Sequence, residues 1–187
     1  MRARLPIPEL AVSALLIGSA LLAWGCGEEK GYDTVGVTTP EFATDGPILT
    51  MSQWRHRVGQ VCREAMAEVG AVSTHLARNI NSGPAGGDEA AISRMAFEAS
   101  RPVIEEQLSN LAALRPPSEI EEEYREFVAT LTAELRWSGR IAHMIGEDGA
   151  EDELLDADQS LAAAAAEVSS FVQAQRIRGC LPSLKGG

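Results

Sequence analysis

From residue 54 onward the chain repeats apolar residues at steps of three and four, the spacing that lines one face of an α-helix. The first stripe is Trp54, Val58, Cys62, Ala65, Val69, Val72, Leu76 and Ile80. Thr50 with Gln53 reads as a capping box ahead of it, and Leu49 with Trp54 as a hydrophobic staple. The run "NSGPAGG" from Asn81 stops it. A second stripe follows the candidate N-cap Asp88: Ile92, Met95, Ala99, Val103, Leu108, Leu111 and Leu114. Pro102 lies inside it. Proline lacks a backbone N–H, so a kink or break is expected near Phe97 to Arg101. The third stripe is Ile120, Tyr124, Phe127, Leu131, Leu135, Ala142 and Ile145, with Ser118 and Glu121 as a second capping box. The fourth is Leu154, Ala157, Leu161, Ala164, Val168, Phe171 and Val172, within a helix expected from about Glu151 to Arg178. Its alanine run, 162–166, has the highest helix propensity of any residue type. No alternating strand pattern of useful length occurs. The prediction is an all-α domain over residues 50–187, an up-down-up-down four-helix bundle with short connections.

Ahead of the bundle the pattern changes. Met1 to Arg4 carries two positive charges, and Leu10 to Gly25 carries none. That apolar run is shorter than the roughly 20 residues a spanning helix needs. A charged start, a short apolar middle and a small residue at the break describe a secretory signal peptide over residues 1–25. The break reads Ala23-Trp24-Gly25-Cys26. It resembles the lipobox of bacterial lipoproteins, in which the cysteine receives the lipid. Gly25 and Cys26 fit that pattern, Ala23 is a tolerated substitute for leucine, and Trp24 departs from it. Ordinary signal peptidase also cuts after small-x-small, so both readings expose Cys26, and they differ in whether its thiol is acylated. Residues 26–49 then hold glycine, proline and threonine without a helical period, the composition of a flexible linker.

Cysteine parity adds to this picture. The chain has three cysteines, Cys26, Cys62 and Cys180. If Cys26 carries lipid, the other two form an even pair suited to an oxidising compartment. In the predicted topology the start of the first helix and the end of the fourth share one end of the bundle, so a Cys62–Cys180 disulfide is expected. Because Cys62 lies three turns into its helix, the tail must fold back or the helices must be offset.

Net charge is −11, and the sequence pI is near 4.7. Such acidity leaves no electrostatic footprint for nucleic acid. Aromatic residues are only 5% of the chain, which favours helices packed through small and aliphatic side chains.

The segment "LAALRPPSEIEEEYREF", Leu111 to Phe127, is similar to one found in small helical lipoproteins of actinobacterial type. There a Leu-x-x-Leu-x-Pro-Pro turn precedes a tyrosine-bearing helix, with one cysteine in the first, Trp/Tyr-led helix and one just after the last. Trp54, Cys62, Leu111, Leu114, Pro116, Pro117, Tyr124 and Cys180 match. "IRGCLPS" departs, standing where a Leu-Gly-Leu run would precede the cysteine. Such proteins carry no assigned activity, so the resemblance implies place and fold rather than chemistry.

A search for chemistry yields little. The histidines are His56, His75 and His143. No Cys-x-x-Cys-His, Glu-x-x-His or His-Glu-x-x-His occurs, so covalent haem, di-iron and zincin patterns are absent. Met95 and His143 on adjacent helices are the nearest approach to a haem pair, with His143 beside the core stripe rather than on it. The acidic run Glu147 to Asp158 lacks EF-hand spacing. No phosphate loop, nucleophile elbow or triad is found. No cofactor or metal ligand is therefore assigned. One charge pattern stands out. Arg55, Arg57, Arg63, Arg115, Arg176, Arg178 and Lys185 fall at one end of the predicted bundle, where they could meet anionic headgroups, though Glu119 to Glu123 dilutes them. The expectation is a non-catalytic binding or scaffold module, exported and held at the outer face of the cell membrane by lipid on Cys26, with an unknown protein or small-molecule partner. The alternative is a bundle carrying a small apolar ligand, haem or metal between its helices.

Overall fold

A computed structural model describes residues 36–82, 89–145 and 150–180. The candidate signal peptide, Cys26, Asp88, Glu147, Asp148 and Lys185 lie outside those residues. Four α-helices are present among the described residues: α1 (Met51–Ser82), α2 (Glu89–Ala112), α3 (Glu121–Met144) and α4 (Glu151–Ala174). No strand occurs among the described residues. Each helix packs on its chain neighbour. Tyr124 reaches the Leu111 carbonyl while His143 lies beside Glu98, so α2 and α3 run antiparallel. Phe127 stacks on Phe171 while Arg140 reaches Glu153, so α3 and α4 do too. Among the described residues α1 shares no long seam with α4. They meet near Trp54 and Phe171, whose ring centroids are 6.1 Å apart.

The core gathers at the end where α1 and α3 begin and α2 and α4 finish. Trp54, Val58, Leu111, Tyr124, Val128 and Val172 are fully buried there. Trp54 meets Tyr124 edge to face at 5.3 Å, and Phe127 stacks on Phe171 at 4.5 Å. Such pairs add about 0.5–1.5 kcal/mol each beyond the area they bury. The Tyr124 hydroxyl donates to the Leu111 carbonyl at 2.8 Å. Burial pushes that phenol well above its usual range, with the neighbouring Trp54 indole opposing the shift in smaller part. The indole N–H has no acceptor in hydrogen-bonding geometry, so its influence is that of a nearby dipole.

The caps divide. At α1 the expected box forms: the Thr50 N–H donates to Gln53 Oε1 at 3.0 Å, and the Gln53 N–H to Thr50 Oγ1 at 3.4 Å. At α3 it does not. Ser118–Ile120 form a 3-10 turn, and the Glu121 N–H is satisfied by the Ser118 carbonyl rather than by a side chain. Pro117 before the turn and buried Ile120 within it fix this tighter geometry. Pro102 does not break α2, which runs through it. The proline ring is exposed, where solvent can take the carbonyl that loses its partner.

The segment read as free linker differs in its second half. Val37 is buried in the core cluster, with Phe42 and Leu49 packed against it. Its carbonyl accepts from Arg136 Nε at 3.0 Å. The Ala43 N–H donates to the Ala112 carbonyl and the Leu49 N–H to Arg115, both at 3.0 Å. Arg115 also donates to the Gly46 carbonyl at 2.6 Å. Residues 37–49 are therefore a strap along α2 and α3. A few anchoring side chains and borrowed backbone acceptors hold it without any helical or strand period.

Candidate anion-binding site

α4 ends four residues earlier than the periodicity suggests, and the reason is local. The Ile177 N–H bonds to the Val172 carbonyl and the Arg176 N–H to Gln173, both at 3.0 Å. That pair of bonds is a Schellman cap, with Arg176 at the left-handed position and φ of 53°. Buried Ile177 supplies the hydrophobic contact that accompanies such caps. The chain then turns back toward α1, which resolves the difficulty of reaching Cys62. Cys62 and Cys180 are joined, with Cα atoms 4.8 Å apart and a sequence separation of 118. Closing a loop of that size contributes about 4–5 kcal/mol in the chain-entropy model.

Two glycines permit the approach. A side chain at Gly59 would overlap the Arg178 carbonyl, and one at Gly179 would stand 2.7 Å from both Arg63 Cγ and the Gly59 carbonyl. Backbone thus lies on backbone, and Arg63 donates to the Arg178 carbonyl at 3.2 Å.

This junction forms an open pocket of about 260 Å³ lined by Arg55, His56, Arg63, Arg176 and Arg178. Two elements supply the charge: the first four turns of α1 and the turn after α4. No lining residue forms a salt bridge among the described residues. The Arg55 Nε is buried without a hydrogen-bond partner. The start of α1 carries no acidic residue, and basic groups there oppose the helix dipole. An anion in the pocket would relieve the clash between those basic groups and the dipole.

The sequence grouped seven basic residues at this end, and the structure sorts them. Arg55, Arg63, Arg176 and Arg178 converge. Arg57 is exposed and does not line the pocket. Arg115 holds the strap. The acidic residues expected to dilute the cluster do not line it either. Glu121 pairs with Arg125 at 2.6 Å, and Glu123 accepts from Gln175 at 3.1 Å. His56 was missed by sequence reasoning, and its only signal was its place next to Arg55.

The other candidates are scattered. His75 is paired with Asn79 at 3.1 Å. His143 is exposed, 3.8 Å from Glu98, and Met95 is exposed as well. No group of three metal-ligating side chains occurs among the described residues. Compared with protein-family models, with characterised proteins and with solved structures, the chain matches none.

Proposed function

We propose that this protein is a lipid-anchored, extracytoplasmic binding module that performs no chemistry on its ligand and binds through the basic pocket beside the disulfide. The observation that carries this reading is the convergence of four arginines and a histidine on one opening that no carboxylate lines. A Cys62–Cys180 disulfide suits an oxidising compartment, in keeping with export. Cys26 behind a short apolar run supplies the candidate anchor. The strap shortens the tether. Nine residues lie between Cys26 and Gly36. Gly36 lies beside Arg101 of α2, away from the end of the bundle where the pocket opens.

The test is an intact mass, under native conditions, of protein purified from its own membranes. The reading expects residues 26–187 plus a lipid, less two protons for the disulfide. A mass without lipid removes the anchor. Co-purifying haem, metal or apolar ligand replaces the reading with that of a carrier.

A further inference from the structure

We propose that the basic pocket is a binding site for a phosphate group, held by Arg55, Arg63, Arg176 and Arg178. This deepens the binding-module reading and rests on it.

The pocket runs against the composition of the chain. In a protein of net charge −11, four arginines line one opening without an ion-pair partner among the described residues. Like charges so placed repel one another, and the fold holds them there by a disulfide and two close-packed glycines.

Arg176 is the second observation. The left-handed position of a Schellman cap is the place where glycine is usual. A residue with a Cβ is strained there. The cap needs no side chain at this position, because its own bonds and Ile177 close it. An arginine held in a strained conformation, at the rim of a cluster of arginines, points to use rather than to folding.

The donor set selects the ligand class. A carboxylate is satisfied by one guanidinium fork, whereas a phosphate presents several oxygens to several forks at once. The His56 imidazole is the one ring in the lining, so no phenyl, phenol or indole platform is offered to a base. A nucleic acid would need a basic stripe rather than one opening. The shared chemistry is therefore a phosphate group alone, whether a free phosphate or the phosphodiester of a lipid headgroup.

Full-length protein purified from its membranes in neutral detergent is titrated at low salt with two probes. These are inorganic phosphate and glycerophosphoglycerol, the soluble headgroup of an anionic lipid. Arg176→Gly is compared with wild type and with Arg57→Gln, an arginine outside the pocket. The expected result is binding of at least one probe, weakened about tenfold by Arg176→Gly and unchanged by Arg57→Gln. The Arg176→Gly protein should melt no lower than wild type, because glycine is relaxed at that position. Binding of phosphate assigns a free anion as the source, and binding of the headgroup alone assigns the lipid. Failure of both probes to bind, or equal affinities for wild type and Arg176→Gly, overturns the proposal. Either failure leaves the intact-mass test of the anchor untouched, and a missing lipid leaves this site untouched.

Discussion

The two halves of α1 carry the same apolar period but have different fates. From Trp54 to Ala65 the stripe is buried: Trp54, Val58, Cys62 and Ala65 are all in the core. From Met66 to Ile80 no side chain is buried, and Met66 is 44% exposed. Val69, Val72, Leu76 and Ile80 are half-covered. The difference lies in the partners. The first half faces the aromatic cluster of α3 and α4 and is stitched to the tail by the disulfide. The second half lies along α2 without a seam to α4. Periodicity reports that a helix has an apolar face, and it does not report that the fold has enough neighbours to cover it.

Substitutions should separate the halves. Trp54→Ala is expected to lose about 3–5 kcal/mol of unfolding free energy, since a fully buried indole leaves a large cavity. Leu76→Ala at the other end should lose clearly less, about 1 kcal/mol, in denaturant titrations. Comparable losses would erase the distinction.

The disulfide comes next. Replacing Cys62 and Cys180 together by alanine should cost about 2–5 kcal/mol. It should also free the turn at Arg176–Cys180, so that Gly59 becomes tolerant of alanine. A melting temperature unchanged by the double substitution would show that packing alone holds the tail.

A smaller effect belongs to the middle of α3. Phe127 against Phe171 and Thr130 against Glu167 set a register that brings Glu134 level with the alanine run of α4. Burial there raises the Glu134 carboxyl to about 7. Because the folded-state value lies above the unfolded one, the native protein holds a proton that the unfolded chain releases. Glu134's contribution to stability should therefore be greatest below about pH 4.5 and fall as pH rises toward 7, by at most about 3 kcal/mol. Subtracting the pH profile of Glu134→Gln isolates this contribution from the surface carboxylates. A flat difference profile would show that the carboxylate is solvated.

Much of this was legible in the residues. Four stripes gave four helices, Thr50 and Gln53 gave a true capping box, and cysteine parity pointed to the bond between Cys62 and Cys180. The misses share a cause: tertiary contacts with weak local signals. Ser118 failed as a cap because Pro117 and Ile120 favour a tighter turn. The strap was hidden because Val37, Phe42 and Leu49 are too far apart to make a pattern, although each is anchored. The arginine cluster was visible as a count at one end. Its convergence depended on the Schellman turn, and neither Arg176 nor Ile177 resembles the glycine that usually announces one.

Native-state hydrogen exchange along α1 tests the central claim most directly, that the disulfide-closed end is the stable half on which the site is built. The account predicts that amides from Trp54 to Ala65 exchange only through global unfolding, while those from Met66 to Ile80 exchange through local opening at far lower free energy. Equal protection along the whole helix would contradict it.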